Sequence, residues 1–267
     1  MPERRNWSES EVCHAIALYL VTDFGKIDKR NSDIIELAAR IGRTPSAVAL
    51  KLGNLAAIDT SIPQRGMVNA SATDRRVWAE FLTDPASVLD VYRQQPKFER
   101  LPEIEIAAAA METQTQSPML AEDAVKYLHQ EGRERRVEST QRIGQDFFRK
   151  MILTSYRSRC ALTGIEDRRL LNASHIVAWK DDPQNRLNPS NGICLNALHD
   201  RAFDRHLITF DEDYRMKIAD HVPQVARREL ERVDSGRLEL PTRFLPGQSF
   251  LESHRLEFFE KARTISI

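Results

Sequence analysis

The sequence predicts an α+β protein, with helices in its N-terminal part and a small two-stranded unit in its C-terminal half. Three observations support this class: helix-capping residues early in the chain, a change of composition after Phe98, and two short apolar segments followed by a helix. They divide the chain into a helical domain at 1–98, a linker at 99–120 and a second domain at 121–267, with its core at about 160–215.

The first helix is predicted directly after Ser8. Ser8 and Glu11 have the spacing of a capping box, and apolar residues follow at helical intervals through Leu20. Trp7 precedes this box. The start of the chain is therefore a polar helix start rather than an apolar signal-type stretch, and we expect a cytoplasmic protein.

Two further short helices are predicted between residues 33 and 55. The first ends at Gly42, and Thr44 followed by Pro45 provides an N-cap and a first-turn proline for the second. This pair has the dimensions of a helix-turn-helix, which is often only a packing unit. If it contacts DNA, Arg43 and Lys51 are the candidate residues.

The second domain follows a stretch of prolines, alanines and uncharged polar residues between Phe98 and Pro118, which is typical of a linker. A long helix is predicted from Ala121 to about Tyr156. The overlapping range 133–159 holds eight basic and three acidic residues, which indicates a phosphate-facing surface or a solvated helix face.

The order strand, loop, strand, helix is predicted downstream of this helix. Leu170–Val177 is apolar and strand-like with His175 near its end, and 179–190 is a polar loop. Gly192–Leu195 predicts the second strand, and Ala197 to about Arg205 predicts the helix, which carries His199 near its start.

Several classes of protein are excluded by composition. The 267 residues include no apolar run of the ~18 residues that a membrane span needs. No Gly-rich phosphate loop is present, so no nucleotide cofactor is expected. The three cysteines are odd in number and form no C-x-x-C pair, which argues against a disulfide framework and against structural zinc.

The strand-loop-strand-helix unit suits phosphodiester hydrolysis. A neutral histidine on the first strand can accept a proton from water, and a divalent ion on the helix can polarise a phosphate. An asparagine in the loop can hold the histidine in position. Few groups are required, but their directions must be fixed.

The residues of this unit also carry a family resemblance. Cys160-Ala-Leu-Thr-Gly164, Ala173-Ser-His-Ile176 and the run from Asn191 to Asp204 read C-x-x-T-G, A-S-H-I and N-G-x-x-L-N-x-x-H-D-x-x-F-D. The segment from about 141 to 219 resembles the HNH endonucleases of the ββα-metal fold. The resemblance implies a nuclease domain flanked by helices, with His175 as general base, Asn191 as orienting residue and His199 as metal ligand.

The N-terminal part resembles the same group of proteins. Many bacterial HNH nucleases begin with a W-S/T-x-x-E start and a G-R-T-P-S-A-V-A-x-K-L-G-N segment, and both are present here around Trp7 and Gly42. That resemblance implies contact with target DNA, without identifying the residues that make it.

Two positions depart from the family pattern. Where many members carry a metal-binding Asp or His before the base, this chain has Ser174, so that either water or another acid such as Asp204 completes the ligand set. The zinc-binding cysteine quartet is absent too. Cys160 and Cys194 are expected to be buried packing residues.

The resemblance implies a metal-dependent endonuclease, with Mg²⁺ or Mn²⁺ as cofactor, DNA as partner and a role in restriction or other defence against foreign DNA. Arg201 and Arg205 are candidate phosphate contacts. A homodimer is plausible, because one such centre cuts one strand. Two alternatives stay open: a DNA-binding or regulatory protein with a catalytically degenerate HNH-like fold, which Ser174 favours, and a nuclease that acts on RNA.

Overall fold

The computed structural model describes residues 5–62, 69–88 and 143–265. These ranges confirm the α+β class, because helices surround two small antiparallel sheets. The predicted linker and the predicted helix before residue 143 lie outside the described residues. In the described part of the chain, no helix has the length and apolar character needed to cross a membrane.

Four helices form the N-terminal part: α1 Glu9–Leu20, α2 Ser32–Arg40, α3 Pro45–Ile58 and α4 Ala72–Thr83. The predicted capping box at Ser8 and Glu11 is confirmed, with both of its hydrogen bonds present. The predicted cap at Thr44 is confirmed as well, since its side chain accepts from the Ala47 amide. Local capping chemistry therefore sets where these helices begin.

The C-terminal part begins with a helix, α5, over residues 143–155. Strands β1 Leu171–His175 and β2 Gly192–Asn196 pair antiparallel, with His175 opposite Gly192, and helix α6 Ala197–Asp204 continues directly from β2. A second pair of strands, β3 Ile208–Phe210 and β4 Met216–Ile218, follows. The chain then forms two helices, α7 Gln224–Leu230 and α8 Gln248–Ile265.

Helix α5 lies against the β1–β2 pair at Gly192. A Cβ atom built on Gly192 would come within 2.5 Å of Ile152 Cδ1 and 2.6 Å of Phe148 Cζ. Both of these side chains are buried. Glycine is therefore required here by the close approach of the helix to the strand.

The N-terminal helices pack on the C-terminal part through a buried arginine. Arg243, only 3% exposed, donates from its two terminal nitrogens to the carbonyl oxygens of Tyr19 and Thr22 (3.0 and 2.9 Å). The neighbouring Phe244 ring lies 6.5 Å from the Trp78 ring. Apolar side chains of both parts belong to one buried cluster.

Candidate functional site

Strand β1 presents two different sets of side chains. Asn172 Nδ2 and Ser174 Oγ both donate to the carboxylate of Asp200 on α6, at 2.6 and 2.5 Å. His175 instead stacks on Phe148 of α5, with the ring centroids 3.7 Å apart. The alternation of a strand thus directs polar groups towards α6 and the histidine towards α5.

His175 is held in one orientation by its surroundings. Its Nε2 lies 3.0 Å from the carbonyl oxygen of Arg186, and the Trp179 ring packs edge-on against it. Because a carbonyl only accepts, Nε2 carries the proton, and Nδ1 has no hydrogen-bond partner among the described residues. Burial lowers the pKa of His175, so the ring is neutral at pH 7 with a free basic nitrogen.

Asn191 is buried and clamps the loop that provides this carbonyl. Its Oδ1 accepts from the amide of Val177, while its Nδ2 donates to the carbonyls of Val177 and Asn185 (3.1 and 3.3 Å). Asn185 immediately precedes Arg186. Asn191 therefore fixes the backbone that in turn orients His175.

Helix α6 carries two carboxylates one turn apart. Asp200 and Asp204 are four residues apart and share a face of the helix. Partial burial and the nearby Asp200 charge raise the pKa of Asp204, which shows that the two negative charges repel each other. A divalent cation would relieve this repulsion, and carboxylate, hydroxyl and amide oxygens are suitable ligands for Mg²⁺ or Mn²⁺.

His199, predicted as a metal ligand, is buried between the start of α6 and the end of α7. The side chain is only 1% exposed, with Nδ1 3.1 Å from Asn196 Oδ1 and Nε2 3.1 Å from the Leu230 carbonyl. Both oxygens only accept and a neutral ring has one N–H, so one contact is a hydrogen bond and the other nitrogen is enclosed against a protein oxygen. This geometry gives His199 a packing role between α6 and α7.

Asp200 is the acidic residue that sequence reasoning missed. Its signal was present in the H-D-x-x-F-D run, where the residue after His199 stands one turn before Asp204. Within the described ranges, no group of three or more His, Cys, Asp and Glu side chains is arranged as a metal site. Asp200 and Asp204, with Ser174 and Asn172, are the oxygen-bearing side chains here that could hold an ion.

Helix α8 contacts α6 through His254. This side chain is buried, stacks on Phe203 at 3.8 Å, and its Nε2 lies 3.1 Å from both the Phe203 carbonyl and His206 Nδ1. Burial first, and then the nearby His206, lower the pKa of His254 to about 3. A neutral His254 therefore holds the C-terminal end of the helix that carries Asp200.

Cys160 and Cys194 are buried, as predicted. Cys160 Sγ accepts from the amide of Asn196 at 3.2 Å, and the residue after it, Ala161, donates to the Cys194 carbonyl. Burial raises the pKa of the Cys194 thiol to about 12. The two cysteines thus fix the C-x-x-T-G turn against β2.

Arg43 and Lys51, the predicted DNA contacts, are turned inwards. Arg43 donates to both carboxylate oxygens of Glu11. Burial alone would raise the pKa of Glu11, but hydrogen bonds from Arg43 and Ser8 lower it to about 2. Lys51, 5% exposed, donates to both oxygens of the fully buried Asp74. The helix-turn-helix prediction of DNA contact by these residues is therefore corrected.

The Trp7 ring joins these two ion pairs. The Arg43 guanidinium and the Lys51 ammonium lie 4.6 and 4.7 Å from its centroid. The W-S-x-x-E start and the G-R-T-P segment are thus parts of one packed arrangement. Arg201 on α6 and Arg205, its C-cap residue, differ, since both are exposed and neither side chain has a hydrogen bond or ion pair to another described residue.

Comparison with known proteins finds a similarity in one segment of the chain. Residues 160–211 match the model of a family described as HNH endonuclease. The matched segment contains β1, the loop, β2, α6 and β3, and therefore includes His175, Asn191 and Asp200. No curated protein matches the chain.

Proposed function

We propose that this protein is a metal-dependent HNH endonuclease that hydrolyses phosphodiester bonds in DNA, with β1, β2 and α6 as its ββα-metal unit. The observation that carries the proposal is the neutral His175, fixed by the Arg186 carbonyl and with Nδ1 unpartnered among the described residues. The match of residues 160–211 to the nuclease family supports the same reaction.

His175 is the general base of the proposed reaction. Its Nδ1 accepts a proton from a water molecule, the hydroxide attacks phosphorus, and the P–O bond to the leaving oxygen breaks. Asn191 keeps the 177–191 loop in place, so that the Arg186 carbonyl holds the imidazolium formed in this step. Neither residue needs to move.

Asp200 and Asp204 are the proposed metal-holding residues, with Ser174 and Asn172 beside them. When bound, a divalent ion polarises the scissile phosphate and stabilises the leaving oxygen. Ser174 acts in this proposal through its 2.5 Å hydrogen bond, which orients the Asp200 carboxylate. His199 is removed from the ligand set because its ring nitrogens are engaged elsewhere.

Arg201 and Arg205 are the proposed phosphate contacts, because they are exposed in and directly after the helix that carries the carboxylates. Restriction or other defence against foreign DNA in the cytoplasm is the proposed biological role. A homodimer would cut both strands, since one centre cuts one. The alternative of a degenerate, non-cutting DNA-binding protein is separated from this proposal by the activity test.

The test is cleavage of supercoiled plasmid by the full chain with Mg²⁺ or Mn²⁺ and with EDTA. We expect metal-dependent nicking, and we expect His175→Ala to reduce its rate by ~10²-fold or more. His221→Ala, which changes a half-buried histidine outside β1, β2 and α6, is the matched control. Equal rates for His175→Ala and wild type would remove His175 as base, and no cleavage by wild type would favour the non-cutting alternative.

A further inference from the structure

A large cleft lies between the N-terminal helices and the C-terminal part, apart from β1, β2 and α6. Its volume is about 1110 Å³, and α1, α2, α5 and the segment 240–245 contribute to its walls. Ligand sites usually measure roughly 300–1,000 Å³, so this cleft can accept a nucleotide with part of its neighbours.

The cleft walls carry more positive than negative charge. Six basic and three acidic side chains line it, the basic ones being Lys26, Arg40, Lys150, Arg157, Arg168 and Arg243. Arg157 and Arg168 are exposed, and neither side chain has a hydrogen bond or ion pair to another described residue. These two guanidinium groups are available to a phosphate.

Arg243 gives the cleft a buried positive charge. Its terminal nitrogens donate to two backbone carbonyls and its guanidinium lies 4.9 Å from the centroid of the Tyr19 ring, but within the described ranges its Nε has no hydrogen-bond partner and no carboxylate pairs with it. A buried cation without an anion is costly. An anionic ligand in the cleft would compensate this charge.

Part of the remaining wall is apolar and partly exposed. Phe24, Leu240 and Leu245 line the cleft with 37%, 40% and 49% of their surfaces exposed. An aromatic ring beside aliphatic side chains suits the face of a nucleobase. One cleft thus combines a surface for a base with cations for its phosphate.

We propose that this cleft binds a nucleotide of a DNA strand, with the phosphate on Arg157 and Arg168 and the base on the apolar wall at Phe24. The inference rests on the proposed function in taking DNA as the strand. Arg168 links the cleft to the nuclease unit, since Arg149 donates to both the Arg168 and the Leu171 carbonyls, at 2.9 and 2.7 Å. Leu171 is the first residue of β1.

The test measures binding without cleavage. In EDTA, fluorescence anisotropy of a labelled single strand of about 12 nucleotides gives the Kd of the full chain as a function of salt. The Arg157→Ala/Arg168→Ala double variant should raise Kd by about tenfold or more and reduce the slope of log Kd against log salt by about one to two. Phe24→Ala should raise Kd by about tenfold without changing the slope.

Arg75→Ala is the matched control, because Arg75 is exposed on α4 and does not line the cleft. Competition by unlabelled dAMP distinguishes the two sources of nucleotide. If dAMP binds and the same variants weaken it, the site is supported with a free nucleotide as its ligand. An unchanged Kd in the double variant and in Phe24→Ala overturns the inference.

Failure of this inference is distinguishable from failure of the proposed function. Metal-dependent plasmid nicking by wild type, measured separately, decides whether the protein is a nuclease. Normal nicking with unchanged strand binding in the variants rejects the cleft alone. If wild type never nicks but its strand binding depends on Arg157 and Arg168, the cleft inference is supported and the proposed nuclease function is rejected.

Discussion

At the scale of single residues, two histidines of one motif have different surroundings: His175 is partly buried and His199 is buried. Burial lowers the pKa of both His175 and His199, so charge state does not separate them. Their contacts do, because Nδ1 of His175 has no hydrogen-bond partner among the described residues, whereas both nitrogens of His199 lie against protein oxygens. The sequence identifies the motif, but the direction of His199 follows from where Asn196 caps α6 and that of His175 from its place on β1, which only the fold shows.

The first residue-scale prediction concerns the metal-holding carboxylates. Asp200→Asn should lower the cleavage rate by ~10²-fold or more and raise the Mn²⁺ concentration needed for half-maximal rate, because the charged oxygen ligand is lost. Ser174→Ala should do modest harm, since it removes only an orienting hydrogen bond. The measurement is the cleavage rate against Mn²⁺ concentration.

His199→Gln serves as the comparison for this prediction. We expect a lower free energy of unfolding, because the contact with the Leu230 carbonyl is disturbed, and an unchanged metal requirement. If His199→Gln instead shifts the metal requirement while Asp200→Asn does not, the original assignment of His199 as ligand is correct and the carboxylate site is wrong.

A second residue-scale prediction concerns pH. A general base must be unprotonated, and burial lowers the pKa of His175 below the ordinary 6.5. Activity should therefore persist below pH 6.5 and fall only as pH drops through the lowered pKa. Single-turnover cleavage at saturating Mn²⁺ between about pH 4.5 and 8 measures this, and an acid limb centred above 6.5 would contradict the role of His175.

At the scale of elements, local sequence signals predict where helices begin and end better than they predict which side chains are exposed. The caps at Ser8 and Thr44 involve neighbours within three residues, so they could be inferred from spacing. The burial of Lys51 depends on Asp74, which is 23 residues away. The sequence therefore predicts a surface contact at Lys51, whereas the fold pairs it with the carboxylate of Asp74.

The element-scale prediction tests how α5 meets β2. Gly192→Ala should lower the free energy of unfolding by about 1–3 kcal/mol, because its methyl group would displace Phe148 and Ile152. Cleavage should also fall, since Phe148 stacks on His175. Urea unfolding and plasmid nicking are the measurements.

Gly53→Ala is the matched control for Gly192→Ala. Gly53 lies inside α3, and a Cβ there would meet nothing within 4 Å. We expect this substitution to leave stability unchanged or raise it by about 0.5–1 kcal/mol. A Gly192→Ala protein as stable and active as Gly53→Ala would show that the close approach of α5 is not required.

At the scale of the whole molecule, the two predicted domains share a buried boundary. Composition alone suggested two bodies joined by residues 99–120, and this division stays a prediction because the segment lies outside the described residues. Across the boundary, Arg243 contacts Tyr19 and Phe244 contacts Trp78. Beside it, Thr242 contacts Ser155. The contact between Arg243 and Tyr19 joins residues 224 positions apart, which periodicity cannot reveal.

The last prediction follows from this boundary. A specific protease site inserted between residues 99 and 120 would allow the chain to be cut after folding. We expect the two fragments to elute together in gel filtration, because separation would expose the apolar cluster and leave the carbonyls of Tyr19 and Thr22 without their donors. Arg243→Ala should lower the free energy of dissociation of the two fragments by about 1–3 kcal/mol. The measurement is the urea concentration at which the cut fragments separate. Arg228→Ala, an exposed change on α7, should leave that concentration unaltered. Separate elution of the wild-type fragments in native buffer would instead mean that the helical part and the nuclease unit are independent domains.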